Sequence, residues 1–260
     1  MARILLGIYF AIGVAFMVLP LVLVVPISLT DSQFLQFPPE RLSLRWYREF
    51  FVDDSWVAAT LLSVQVGLGA TAAALVAGTA AAVAIVRGSF PGRQILHALL
   101  VAPLIIPSVI VALGLFILFL RWKWVDSVPA LIFAHAVGAV PYVVLIVSSA
   151  LRSFDTTLER AARVLGATPT RAFLNVTVPY LAPSLFASSL LAFFASFDEL
   201  IVTLFVSGGL QTLPVRIWTD LTLRLDPTVA AAATLLIVVS VVGMSIAEYF
   251  RQRNIKRYGQ

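Results

Sequence analysis

Six long runs of uncharged, mostly apolar residues alternate along the chain with short polar segments. Each run is more than 20 residues long, and a helix of about 20 residues crosses the ~30 Å hydrocarbon layer of a membrane. The pattern therefore predicts an all-α membrane protein with six transmembrane helices. The uncharged runs comprise residues 4–29, 55–86, 94–120, 127–151, 172–197 and 227–247. We place the six spans near residues 4–29, 57–86, 95–120, 129–151, 180–207 and 229–250.

The composition agrees with a chain that is mostly embedded in lipid. Hydrophobic residues make up 60% of the 260 residues and charged residues only 12%, which is about half the charged fraction of a typical soluble domain. The longest segments outside the spans, near residues 30–56 and 152–179, leave no room for a soluble domain. We therefore predict a single transmembrane domain over residues 1–260.

The basic residues indicate which way the chain faces. Six spans place both termini on one side, where we count 11 Lys and Arg residues, against 7 on the other side. Because cytoplasmic segments carry an excess of Lys and Arg, both termini and the loop at 152–179 are predicted to be cytoplasmic. The basic tail after Phe250 supports this orientation. The net charge of +5 does not indicate nucleic-acid binding, since the basic residues flank membrane spans.

Residue types that the chain lacks exclude several classes of chemistry. The chain has no cysteine, which excludes disulfides, thiol nucleophiles and cysteine-ligated metals. Its two lysines, Lys123 and Lys256, do not lie in a G-x-x-x-x-G-K-[ST] loop, so the chain cannot hydrolyse ATP by itself in the usual way. We interpret His97 and His135 as hydrogen-bonded packing residues, because no set of metal ligands accompanies them. We expect no enzymatic activity, no metal and no cofactor.

The polar segment between the predicted fourth and fifth spans carries the signals of a rigid helix–turn–helix. Thr156 to Glu159 fits a capping box, in which a Thr N-cap is followed three residues later by Glu. Gly166 is placed to end this helix as the residue after the C-cap. Thr168 and Pro169 fit the N-cap and the first position of a second short helix. Because the segment joins two spans directly, a force on it would move both.

The first of these two helices has an apolar face. That face consists of Leu158, Ala161, Ala162 and Leu165, at helical positions i, i+3, i+4 and i+7. Its two central alanines leave a shallow surface, which fits the groove of a partner protein. The opposite side carries three charged residues, Glu159, Arg160 and Arg163. The alternative is a surface helix that packs on its own bundle.

This segment resembles the EAA loop of ATP-binding-cassette (ABC) importer permeases, whose pattern is E-A-A-x3-G-x9-I-x-L-P. Ala161-Ala162, Gly166, Val176 and Val178-Pro179 match that spacing. Arg160 stands where the family usually has Glu, and Glu159 comes directly before it. The resemblance implies that the segment binds an ATPase. The residues implied to couple the two proteins are Glu159, Arg160, Ala161, Ala162, Leu165 and Gly166.

Two other stretches resemble the spermidine/putrescine-type branch of these permeases. They are Phe197-Asp198-Glu199 together with residues 211–218, and residues 135–155 with Pro141-Tyr142 inside. The resemblance implies a type I ABC importer permease-like bundle in the bacterial inner membrane, which imports a polyamine or a similar small organic cation. Phosphonates, opines and ferric ion are the alternative substrates.

The same resemblance implies the partners of such a subunit. They are two cytoplasmic ABC ATPase subunits, a second permease subunit that is expected to be a different chain, and an extracytoplasmic solute-binding protein. The ATPases would drive the bundle between inward-open and outward-open states by moving the capped loop.

Asp198 and Glu199 lie inside the predicted fifth span, where each carboxylate costs about 2.5–3.5 kcal/mol at a helix centre. Adjacent residues point about 100° apart on a helix, so the two do not share one partner. An acidic lining would attract a cationic substrate, which makes both residues candidates for the substrate path. The alternative is that both are structural and bond to neighbouring helices or to the second subunit.

Three classes of function are open to a chain of this kind. A permease subunit driven by a separate ATPase is favoured by the loop at residues 152–179. A stand-alone secondary transporter or channel would be expected to contain inverted repeats, and we find no clear internal repeat. An intramembrane enzyme would need a catalytic constellation, and neither G-x-S-x-G nor H-E-x-x-H occurs.

Overall fold

A computed structural model describes residues 2–223 and 226–258, with side chains described for residues 5–223, 226–243 and 245. The described chain is helical over most of its length and contains no extended strand, which confirms the all-α prediction. The helices are α1 (Ala2–Ser28), α2 (Arg45–Val52), α3 (Asp54–Arg87), α4 (Arg93–Val101), α5 (Ser108–Trp122), α6 (Val128–Ser153), α7 (Thr157–Val164), α8 (Pro169–Ala172), α9 (Val178–Phe197), α10 (Ile201–Val206), α11 (Leu213–Leu223) and α12 (Thr228–Tyr258).

Four of the described helical stretches are long and apolar enough to cross a membrane. They are Leu5–Ser28, Asp54–Arg87, Val128–Ser153 and Pro169–Phe197. A fifth crossing results if the bent pair Arg93–Leu104 and Ser108–Trp122 counts as one span. The predicted sixth span corresponds to α12, whose described apolar part is the shorter Thr228–Gly243. The count of six spans therefore stays a prediction, and the basic tail after Phe250 lies outside the described side chains.

The predicted third span, residues 95–120, is not one straight helix. A short 3-10 segment, Ala102–Leu104, follows α4, and the chain then turns by 105° into α5. Pro103 and Pro107 stand on either side of the turn. Proline lacks the N–H that would continue the helical hydrogen bonds, and its ring clashes with the carbonyl four residues earlier. Two prolines four residues apart therefore break this span rather than bend it.

The predicted fifth span, residues 180–207, is shifted along the chain. The helical stretch begins at Pro169 and runs through a π turn, Phe173–Thr177, into α9, which ends at Phe197. The π turn ends two residues before Pro179 and already interrupts the regular ladder of hydrogen bonds that this proline would otherwise break. After Phe197 the chain leaves the helix and starts again as α10.

Residues Leu61–Val215 form one compact unit. Its interior contains two clusters of small and branched apolar side chains from α3, α5, α6, α9 and α10. Gly78 shows why span two is rich in small residues. A Cβ at Gly78 would lie 2.7 Å from Cβ of Val143 in α6, so only glycine permits this approach of α3 and α6. Close approach of backbones is how helices associate in lipid.

The other compact unit combines the N-terminal 60 residues with the segment from Arg216 onward. In it α12 contacts both α1 and α2. Trp56 is fully buried, and the guanidinium of Arg216 lies over its ring at 5.2 Å. The same guanidinium forms an ion pair with Asp220, at 3.3 Å.

Candidate functional site

The segment that follows α6 folds as the predicted helix–turn–helix, made of α7 and α8, but its first cap differs from the prediction. Thr156 makes no side-chain capping bond, and its backbone is already helical. Asp155 caps α7 instead, because its Oδ1 accepts a hydrogen bond of 2.9 Å from the Thr157 N–H. The hydroxyl and the backbone N–H of Thr157 lower the pKa of the Asp155 carboxyl. The capping box at Thr156 and Glu159 was therefore wrong by one residue at the cap.

The end of α7 agrees with the prediction in detail. Gly166 has a φ of +94°, in the left-handed region that favours glycine. Its N–H donates to the Arg163 carbonyl and the Ala167 N–H donates to the Ala162 carbonyl, both at 3.0 Å. This pair of bonds is the Schellman motif. Thr168 then caps the next helix, since its Oγ1 accepts from the Arg171 N–H.

The apolar face of α7 is open. None of its residues is buried, and Val164 and Leu165 are each 88% exposed. Leu158 is 51% exposed, Ala161 is exposed and Ala162 is half-buried. Arg160 and Arg163 are exposed as well. The face is thus larger than predicted, because Val164 belongs to it, and most of it stays uncovered by the described residues of its own unit.

Glu159 does not share the exposed side with Arg160 and Arg163, as the sequence predicted. Its carboxylate turns toward the bundle and accepts two hydrogen bonds from Arg87, at 2.9 and 3.1 Å. The Thr177 hydroxyl donates to the same carboxylate. Because these donors occupy the carboxylate, it cannot reach back to the N-terminus of α7, as a capping box requires.

The surroundings of Glu159 keep it ionised. Burial raises the pKa of the Glu159 carboxyl, but the hydrogen bonds from Thr177 and Arg87 and the charges of Arg87 and Arg163 outweigh burial and lower the pKa below its ordinary value. The ion pair with Arg87 is therefore the normal state of this site at neutral pH.

Arg87 is the partner of Glu159 that the sequence analysis missed. It is the last residue of α3, and its guanidinium lies 5.6 Å from the ring centroids of both Phe154 and Phe173. An arginine at the end of an apolar run has the same sequence signature as any residue that flanks a membrane span. The partner, Glu159, is 72 positions away, so no local pattern indicates the pair.

Thr177 brings the start of the next long helix, α9, to the Glu159 carboxylate. It is fully buried, and it is the last residue of the π turn. Single π turns inside helices occur frequently at functional sites. We refer to Arg87, Glu159 and Thr177 as the anchor of α7, because these three side chains join α7 to the end of α3 and to the beginning of α9.

Asp198 and Glu199 lie at a break between two helices and not inside a continuous span. Asp198 is exposed and is the C-cap of α9. Glu199 is half-buried, and its Oε1 accepts a hydrogen bond of 2.9 Å from the Val202 N–H in the first turn of α10. The two carboxylates have different surroundings, and Asp198 is the one left accessible.

His135 fastens the two sides of this break to α6. Its Nδ1 lies 2.8 Å from Oγ of Ser196, and its Nε2 lies 2.9 Å from Oγ1 of Thr203. The Thr203 hydroxyl in turn donates to the Glu199 carbonyl. His135 therefore packs by hydrogen bonds, as predicted. Among the described residues, no cluster of three or more His, Asp or Glu is suited to hold a metal ion.

Comparison with known proteins places these features in context. Residues 74–256 match the family described as "Binding-protein-dependent transport system inner membrane component". The chain is 35% identical to the putrescine transport system permease protein PotI of Escherichia coli (strain K12), over 95% of this chain and 92% of that protein. It is 28% identical to the spermidine/putrescine transport system permease protein PotC of Haemophilus influenzae, over 92% and 93% of the two chains.

The fold is also found among solved structures. The chain resembles a chain in the crystal structure of a bacterial alginate ABC transporter in complex with an alginate pentasaccharide-bound periplasmic protein, with a TM-score of 0.69 and 15% sequence identity. The alignment covers 98% of this chain and 96% of that one. At this identity the likeness concerns the fold alone.

Proposed function

Because the chain belongs to the family of binding-protein-dependent transport system inner membrane components, we propose that it imports putrescine or a closely related polyamine. Membership makes it a permease subunit of an ABC importer in the inner membrane, and not an enzyme. The family works with a binding protein and an ATPase, which supply the delivery of solute and the energy.

A polyamine substrate agrees with the chemistry of the break after α9. The accessible carboxylate of Asp198 stands at the C-terminal end of that helix, where the backbone carbonyls carry a partial negative charge. A linear polycation would be attracted by both. The relatives with the names PotI and PotC transport putrescine and spermidine according to those names, and they align with this chain over most of its length.

The assembly that we propose has the following form. Residues 1–260 act as one permease domain of six spans, with both termini and the loop at 152–179 in the cytoplasm. The chain pairs with a second, different permease subunit, and each of two ATPase subunits binds one permease chain. The positive-inside bias of the sequence supports the orientation.

The coupling proposal rests on the two sides of α7. One side is an exposed apolar face, and the anchor of α7 holds the opposite side to the bundle. The ATPase would cover Leu165, Ala161 and Ala162, with Arg160 at the rim and Gly166 ending the contact. Glu159 would act on the permease side, through the anchor of α7. A push on α7 is then transmitted to α3 through Arg87 and to α9 through Thr177.

The chain allows a clean test, because it has no cysteine. We expect Leu165→Cys to cross-link to cysteines introduced around the helix-binding groove of the ATPase in the assembled complex. The matched control is Leu120→Cys. Leu120 is also exposed, but it lies near the C-terminal end of α5 and not on α7. Cross-linking of both variants, or of neither, contradicts the proposed contact.

The substrate is tested separately in proteoliposomes that contain the whole transporter and its binding protein. We expect ATP-dependent uptake of radiolabelled putrescine, with unlabelled putrescine and spermidine as competitors. Competition by a phosphonate, an opine or ferric ion, with no effect of polyamines, would reject the polyamine proposal and leave the ATPase coupling standing.

A further inference from the structure

A cleft on the unit formed by residues 61–215 has no role in the function proposed above. It lies among α3, α4 and α6 and has a volume of about 310 Å³. Its lining consists of Ile85, Val86, Arg93, Gln94, His97 and Arg152. Two guanidinium groups, one amide and one imidazole thus share one opening with two aliphatic side chains, and no carboxylate lines it.

The two arginines of the cleft keep their positive charges unpaired among the side chains that the structure describes. Neither Arg93 nor Arg152 forms an ion pair within the described residues. Arg93 donates one hydrogen bond, of 3.2 Å, to the Gly88 carbonyl, which leaves most of its donors free. Like charges that face one opening repel each other, and an anion placed between them removes that cost.

The position of the cleft along the helices indicates the kind of anion. Arg93 and Arg152 each stand at the boundary of an uncharged run, namely 94–120 and 127–151. Ile85 and Val86 stand at the end of a third run, 55–86. All three runs end at this level, so the cleft opens where hydrocarbon gives way to the polar headgroups. Ile95 and Leu99 of α4 are each 66% exposed and offer contact to acyl chains.

We propose that this cleft binds the phosphate group of an anionic phospholipid. Arg93 and Arg152 bind the phosphate oxygens, because a planar guanidinium matches phosphate geometry with two parallel donors. Gln94 and His97 add further hydrogen-bond donors at the rim. Basic clefts between transmembrane helices on the cytoplasmic side are suited to phospholipid headgroups. A lipid held there bridges the end of α6 and the start of α4, next to the segment that leads into α7.

The test compares lipid binding by the intact transporter in nanodiscs of phosphatidylcholine that contain a minor fraction of phosphatidylglycerol. Native mass spectrometry of the released complex counts the lipids that stay bound. We expect selective retention of phosphatidylglycerol by the unmodified protein and about thirty-fold weaker binding by Arg93→Gln/Arg152→Gln, since each basic residue at a membrane surface contributes about a factor of five. The matched control is Arg121→Gln/Lys123→Gln, which removes the same charge from exposed positions that do not line the cleft.

Four outcomes would overturn the proposal. If the cleft variant and the control lost phosphatidylglycerol equally, the overall charge of the protein would attract the lipid and the cleft would not be a binding site. Unchanged retention in the cleft variant would place the lipid elsewhere. Inorganic phosphate that binds the detergent-solubilised transporter and displaces phosphatidylglycerol would assign the cleft to a soluble anion. Finally, a cysteine placed in the cleft by Gln94→Cys could cross-link to the ATPase. That result would assign the cleft to a protein contact and not to a lipid.

Discussion

The Arg87 guanidinium and the Glu159 carboxylate lie 2.9 Å apart, although 72 positions separate them in the chain. Both side chains are largely buried, with 26% and 19% of their surfaces exposed. The pair joins the last residue of α3 to the third residue of α7. In a permease whose ATPase acts on α7, this ion pair would link α7 directly to α3.

Breaking the anchor should uncouple ATP hydrolysis from transport. We expect Glu159→Gln and Arg87→Gln to lower putrescine uptake about five-fold while ATP hydrolysis persists, because a partly exposed ion pair contributes about 1 kcal/mol. The charge-exchanged protein Arg87→Glu/Glu159→Arg restores an opposite-charge pair and should recover part of the loss. The ratio of uptake to hydrolysis in proteoliposomes measures this effect.

Arg121→Gln is the control for the anchor variants, because Arg121 is an exposed arginine without an ion pair among the described residues. It should leave the ratio of uptake to hydrolysis unchanged. If the charge-exchanged protein is no better than the single variants, the anchor does not act through the ion pair.

The stabilisation of α7 by the anchor should depend on pH in one direction. Folding lowers the pKa of Glu159 from its ordinary value of 4.5. Its contribution to the stability of α7 is therefore complete above the ordinary pKa and is lost as the pH falls through the lowered pKa of the folded protein. Hydrogen exchange of the α7 amides, compared between the unmodified protein and Glu159→Gln, checks this. The two proteins should differ at neutral pH and converge in acid below pH 4.5. A difference that grows as the pH falls would contradict it.

The left-handed turn at Gly166 should be needed for the rigidity of α7. An alanine there must adopt a φ of +94°, which costs about 1–2 kcal/mol for a residue with a Cβ. We expect Gly166→Ala to fray the end of α7, to increase hydrogen exchange at Ala167 and to weaken ATPase-driven uptake. Gly138→Ala is the control, since a Cβ there has open space and alanine favours a helix.

Local rules predicted most of the helix–turn–helix. The Schellman turn at Gly166 and the cap at Thr168 depend on residues within one turn of each other, so the sequence contains all the information needed. The N-terminal cap depends on a choice between Asp155 and Thr156. The Glu159 carboxylate, which a capping box needs, is bound instead by the distant Arg87, and no local pattern contains this information.

The break after α9 was beyond sequence analysis for a similar reason. Uncharged, mostly apolar residues continue past Asp198 and Glu199 to residue 207, so hydropathy predicts a continuous span. The chain leaves the helix because Glu199 caps α10 and His135 binds residues on both sides of the break. His135 belongs to α6, and its two partners are 61 and 68 positions away.

The two carboxylates at this break should respond differently to neutralisation. Asp198→Asn removes an accessible charge from the proposed polyamine path, and we expect the KM for putrescine uptake to rise about five-fold. Glu199→Gln keeps an oxygen that accepts the Val202 N–H, so it should change uptake much less and serves as the control. Measured with the binding protein held at saturation, an unchanged KM for Asp198→Asn would remove Asp198 from the substrate path. A larger loss for Glu199→Gln than for Asp198→Asn would instead make the negative charge of Glu199 the attraction for the substrate.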